Sequence, residues 1–225
     1  MATHTAHTAT SVGAATQVEP FFERVVAWVK DHRRLATWIG AALVIGAVLL
    51  VWTISSSRRS EQIAGRQLQG ARFAFESENW PLAASELARI TENYASTNAA
   101  QEARLLLAQV RLRQGQAQEA VHVLGDFAPG ADAAYAAKAY GLLGAAYENL
   151  GRPREAAEAY QAGAEESRMT FLEAQLISDA ARAWTAAQDT ARAVAAYRRI
   201  LEDFPDAAVV TEAKVRLAEL TKGAL

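Results

Sequence analysis

Of the four histidines in this chain, His4 and His7 stand three residues apart, a spacing that could bring two imidazoles onto one metal ion. Two ligands are half a site, and the surrounding MATHTAHTATSVGAATQ offers no third, so no metal is expected there. From Ser60 onward the one histidine is His122, expected as a packed or surface residue and not as a base. Carboxylates such as Glu119, Glu165 and Glu166 fall among arginines at helical spacing, as the solvated faces of helices do. There is no cysteine, which rules out thiol catalysis, zinc–thiolate sites and disulfides. No glycine-rich phosphate loop follows a strand-like segment. The sequence therefore predicts no enzyme, no cofactor and no catalytic residue. Function has to lie in surfaces, and the elements that shape them come next.

Residues 35–54, LATWIGAALVIGAVLLVWTI, run for twenty positions without a charge. As a helix rising 1.5 Å per residue they reach about 30 Å, the hydrocarbon thickness of a bilayer. Trp38 and Trp52 stand near the ends, and Lys30, Arg33 and Arg34 on one flank face Arg58 and Arg59 on the other. This is the pattern of a membrane span with interfacial anchors. A cleaved secretory signal is the rival, given Ser55, Ser56 and Ser57 just past the apolar run. Against it stand a 34-residue leading region, an apolar core longer than signals use, and the lack of an A-x-A-like site. A retained signal anchor is expected. Arg24, Lys30, Arg33 and Arg34 before the span equal Arg58, Arg59, Arg66 and Arg72 after it in number, and only the denser cluster at 30–34 leans toward a cytoplasmic N-terminus.

Around the span the chain divides further. Residues 1–17 have no apolar periodicity and are expected as a disordered tail. Residues 18–34 place Phe21, Phe22, Val25, Val26 and Val29 on one face behind Pro20, an amphipathic juxtamembrane helix for the lipid surface or for a membrane partner. Gly40, Ala42 and Gly46, with Ala36, give the span a small-residue face that lets another helix approach. Residues 55–59 read as a linker, and 60–225 as one folded domain. The segment 1–59 carries net charge +3 and the domain −5, so the domain lacks the basic surface that nucleic acid requires.

The domain is helical by period throughout, with Pro81, Pro129, Pro153 and Pro205 between periodic segments. It also repeats. Tyr140, Leu143, Gly144, Tyr147, Gly151, Ala156 and Tyr160 reproduce the tetratricopeptide pattern. Small Gly144 and Ala156 let two helices of a hairpin touch, Gly151 ends the first of them, and the large residues fill the gap. The register recurs 37 residues later in Ala181, Trp184, Ala193, Tyr197 and Pro205, and 36 residues earlier in Leu107, Ala108, Gly115, Ala120 and Leu124. Ala83 and Leu87 mark a degenerate first copy, and Glu102, Ala103, Leu107 and Ala108 reappear as Glu212, Ala213, Leu217 and Ala218. The fold expected is all-α: a single transmembrane helix, an α-solenoid of about four hairpins, and a last helix near 207–222. Such solenoids bind proteins or peptides on a concave face. The register puts Arg72, Phe75, Gln109, Lys138, Glu148, Asn149, Gln175 and Arg182 on that face.

A short leading segment, one span and an acidic repeat domain resemble the bacterial ancillary SecYEG translocon subunit family, also called YfgM, over most of the chain from Pro20. The resemblance implies an inner-membrane protein with a periplasmic repeat domain. It also implies partners: the SecYEG translocon, a PpiD-like membrane-anchored chaperone, and newly exported chains. The alternative from the same architecture is a periplasmic scaffold for envelope or cell-division complexes.

Overall fold

A computed structural model of the chain describes Val26 and residues 28–223, the side chain of Ala36 excepted. The expected disordered tail, the histidine pair His4 and His7, and Pro20, Phe21, Phe22, Arg24 and Val25 of the expected juxtamembrane helix lie outside the described residues. The described chain divides into two compact units that meet between Ser56 and Ser57.

In the first unit residues 28–31 are helical, with Trp28 and His32 stacked at 5.2 Å, and helix α1 (Arg33–Glu76) begins directly after. Its apolar part has a mean hydropathy of 2.3 over eighteen residues, none of them buried. This is one helix long and apolar enough to cross a membrane. Residues 55–59, expected as a linker, are helical. The reason is local: SSSRR contains neither Gly nor Pro, and extending an existing helix is far easier than nucleating a new one.

The second unit is built from the rest of α1 and eight further α-helices: α2 (Trp80–Asn93), α3 (Asn98–Arg113), α4 (Ala117–Gly125), α5 (Ala136–Asn149), α6 (Pro153–Glu166), α7 (Thr170–Ala186), α8 (Thr190–Asp203) and α9 (Val210–Thr221). Among the described residues there is no strand. The helices pair as α3/α4, α5/α6 and α7/α8 with α9 packed on α8, and Leu68 and Ala71 of α1 share a buried cluster with Leu87 and Ile90 of α2, so that four hairpins form as the repeat register predicts. Each proline has a structural reason: Pro81 and Pro153 open α2 and α6, Pro129 sits in a 3-10 turn (Ala128–Gly130), and Pro205 follows α8. Side-chain caps from Asn79, Thr97 and Asp189 take N–H groups at the starts of α2, α3 and α8.

The turns that join the two helices of each hairpin recur every 36 or 37 residues. Glu78, Gly115, Gly151 and Gln188 have φ of 56°, 73°, 68° and 61°, the left-handed conformation that closes a helix. Three clusters of buried side chains run along the solenoid. Leu87 and Ile90 centre the first, Leu124 and Leu143 the second, and Tyr160, Trp184 and Tyr197 the third. Ala213 and Leu217 of α9 are buried as Ala103 and Leu107 of α3 are, so the similarity of those two helices in sequence corresponds to the same packing role.

Candidate functional site

Two of the eight residues assigned to the binding face meet directly. Arg182 of α7 donates from Nη1 to Glu148 of α5 at 3.1 Å, tying the first helix of one hairpin to the first helix of the next. The same guanidinium reaches Asp179 at 2.8 Å, and Gln175 joins that carboxylate at 3.4 Å. The Tyr160 hydroxyl, coming from α6, donates to Glu148 at 2.8 Å. Tyr160 is buried and Arg182 about half exposed, so this network has a sheltered root and a wet tip. Burial and the Glu148 carboxylate hold the Tyr160 phenol above its ordinary pKa. Burial alone would lower Arg182, but Asp179 and Glu148 outweigh it and keep that group above its usual value.

A second such pair joins the first helices of the first two hairpins. Arg72 of α1 donates from Nε to Glu102 of α3 at 3.0 Å, and this hydrogen bond raises the arginine further. Tyr135, at the start of α5, is held above its ordinary pKa by burial and by Glu102. Glu61 of α1 accepts the N–H groups of Asn98 and Ala99 at 2.8 and 3.1 Å, so a carboxylate caps α3 from the neighbouring helix.

The remaining assigned residues stay apart. Phe75 packs edge-on against Trp80 at 5.4 Å and is half-buried against the first core cluster, so part of its surface belongs to the core. Gln109 is half-buried, while Lys138 and Asn149 are exposed and form no ion pair or side-chain hydrogen bond in the described residues. In the anchor, Trp38 and Trp52 are 79% and 67% exposed, Ala42 is exposed, and nothing lies within 4 Å of where a Cβ on Gly40 or Gly46 would stand. Sequence reasoning missed Glu102, Asp179 and Glu61. Glu102 carried a signal, since it was already aligned with Glu212, but its partner Arg72 is 30 residues away and only the register of successive helices connects the two.

Among the described residues no cluster of three His, Asp or Glu side chains is placed to hold a metal. The face has ion pairs half in water, each of which contributes about 1 kcal/mol or less. What it provides is a firm surface of fixed polarity across consecutive repeats.

Two family models match: a tetratricopeptide repeat-like domain over residues 54–178 and a tetratricopeptide repeat over 179–207. Solved structures agree in fold. A tetratricopeptide repeat protein from Parabacteroides merdae superposes with a TM-score of 0.58 at 14% identity over 72% of this chain, which spans 61% of that protein's length. A putative kinesin light chain with tetratricopeptide-like repeats from Podosopora anserina gives a TM-score of 0.57 at 17% identity, covering 73% of this chain and 87% of that one. A Q17M variant of the same protein gives the same values. No curated protein matches the chain. The first model alone covers more than half of the sequence, and the chain belongs to the tetratricopeptide repeat-like domain family of protein-interaction modules.

Proposed function

We propose that this protein is a membrane-anchored binding module of the bacterial inner membrane, with its N-terminus cytoplasmic and its repeat domain periplasmic. In this reading it stands beside the SecYEG translocon and links it to a PpiD-like chaperone for newly exported chains. The observation that carries the proposal is the fully exposed apolar run of α1, which is without a charge from Leu35 to Ile54 and has Trp38 and Trp52 near its ends. Such a surface is stable in lipid and costly in water, at about 25 cal/mol per Å² of apolar area. The small residues Gly40, Ala42 and Gly46 leave the span free to pack against a channel helix. The domain beyond residue 60 supplies the interaction surface. Arg72, Phe75, Gln109, Lys138, Glu148, Asn149, Gln175 and Arg182 line the face assigned to the client.

Cross-linking in intact membranes tests this reading, with a photoreactive residue at Ala42 and another at Arg182. Channel subunits captured at Ala42, with a periplasmic chaperone or an exported chain at Arg182, are the expected adducts. Lipid alone at Ala42, with division or cell-wall proteins at Arg182, overturns the translocon role in favour of an envelope scaffold.

A further inference from the structure

One side of the first hairpin corresponds to the side that each later hairpin packs on its predecessor. Phe73 is equivalent to Val110, Ala146 and Ala183, which lie 37, 73 and 110 residues on, and Arg66 to Ala103, Ala139 and Leu176 at the same intervals. Those six are buried, and each shares a buried cluster with the hairpin before its own. Phe73 is instead 73% exposed, and Arg66, Ile63 and Leu82 are exposed as well. A solenoid end that stays in water needs a polar outer face. Helix α9 finishes the other end in that way: apart from Val215, its exposed residues are Thr211, Glu212, Lys214, Arg216 and Glu219. The first edge is built as one more packing face.

The register says what kind of body covers it. The equivalent faces of the later hairpins each lie on a helical hairpin, so the occupant is a pair of helices. We propose that this occupant is the first hairpin of a second copy of the chain, docked edge to edge about a two-fold axis. Ala71 and Leu87 pack in one cluster, which sets Phe73 level with the turn of α2 from Leu82 to Ser85. An axis parallel to the helices lays each α1 on the other copy's α2, so that Phe73 meets this turn twice by symmetry. It also keeps the two chains pointing the same way, as two copies anchored in one membrane must, and to that extent the pairing rests on the anchor proposed above. Charge favours this crossing over α1 against α1. The outer stripe of α1, Arg59, Ile63, Arg66, Gly70 and Phe73, has two arginines and no acid. The stripe of α2 has Glu86, Arg89 and Glu92, and none of these five charged groups is in an ion pair among the described residues. A basic stripe is attracted by one that is net negative and repelled by its own copy. Two helices of about 21 Å side by side bury about 1,000 Å² between the copies, a weak interface in free solution that confinement to one membrane supports.

The test uses the full chain in phosphatidylcholine vesicles. The chain has no cysteine, so Ser96→Cys, at an exposed turn, carries donor or acceptor dye for energy transfer between copies. Transfer that falls on dilution with lipid is expected, with at least tenfold weaker association in Phe73→Glu and no change in Lys214→Glu on α9. Phe73 is exposed, so Phe73→Glu should keep the urea midpoint of the parent. No transfer in the parent, or transfer that persists in Phe73→Glu because the spans alone associate, overturns the pairing. The arrangement has its own readout: a Phe73→Cys chain mixed with a Ser85→Cys chain should link on oxidation faster than either links to itself, and faster self-linking of Phe73→Cys overturns α1 against α2. Flotation with the vesicles reads the anchor separately. A chain that floats and shows no transfer loses the pairing and keeps the anchor; one that does not float loses both.

Discussion

In the third hairpin Gly144 and Gly163 leave room that Tyr160 and Tyr140 take up. In the first, the same four positions hold Ala71 and Ile90 against Leu87 and Gln67. A Cβ on Gly144 would stand 2.6 Å from the Tyr160 ring, and one on Gly163 would stand 2.9 Å from the Tyr140 Cβ. Leu87 and Ile90, by contrast, are fully buried with Ala71 against them. Between Gly144 and Tyr160 on one side and Ala71 and Leu87 on the other, volume has moved from one facing position to the other with the sum nearly kept, as close-packed interiors favour. Ile90 and Gln67 do not balance Gly163 and Tyr140 in the same way, so the compensation holds at one pair of facing positions and not across the whole interface.

Removing the filler in each hairpin is the strongest way to break that comparison. Leu87→Ala leaves a cavity in the first core cluster and is expected to cost about 3 kcal/mol, read as a lowered urea midpoint of the helical signal. Next comes Gly144→Ala, which sets a methyl group into the Tyr160 ring and is expected to cost about 2 kcal/mol. The sharper measurement is the double variant Gly144→Ala with Tyr160→Leu, which imports the Ala71 and Leu87 pair of the first hairpin. It is expected to be more stable than Gly144→Ala alone. Additive losses would show that the two interfaces are not equivalent.

The turns differ in the same two hairpins, by a smaller amount. Gly151 and Glu78 both have positive φ, and only glycine adopts it without strain. Gly151→Ala is expected to lose about 1 kcal/mol, and Glu78→Gly to gain a few tenths, since the added chain entropy of glycine offsets part of the relief. The same urea titration reads both, and opposite signs are the diagnostic outcome.

These pairs also explain what could be read in advance. The third hairpin was legible because Gly144, Gly151 and Tyr160 are the residues in which the repeat pattern is usually written. The first looked degenerate because its packing uses Ala71, Leu87 and Ile90, any of which suits an ordinary helix core. Glu78 and Gln188 gave no sign of a left-handed turn, for nothing in a lone Glu or Gln marks one; only their spacing from Gly115 and Gly151 does. On the binding face, Glu148 and Arg182 were assigned one by one from register, but their ion pair depends on how α5 and α7 lie beside each other. The helical 55–59 was missed because three serines suggest a break, whereas a single helix, Arg33–Glu76, runs through them.

The smallest difference between the hairpins is chemical: Tyr160 has a hydroxyl where Leu87 has none. Tyr160→Phe keeps the ring against Gly144 and removes the bond to Glu148, whose carboxylate is only half-buried and retains Arg182. The expected loss at neutral pH is therefore small, about 0.5 kcal/mol, at the low end for a hydrogen bond. High pH separates the variants more clearly. The folded Tyr160 phenol has its pKa raised above the ordinary 10.0, first by burial and then by Glu148. In the unfolded chain it loses its proton near the ordinary value, so above that pH the unfolded state binds fewer protons and the parent loses stability as pH rises. Tyr160→Phe lacks this group and should lose stability less steeply above pH 10, with the remaining slope due in part to Tyr197, also raised by burial. Urea midpoints of the two chains followed from neutral to alkaline pH are expected to converge; parallel curves would mean that the hydroxyl is neither buried nor held against Glu148 in solution.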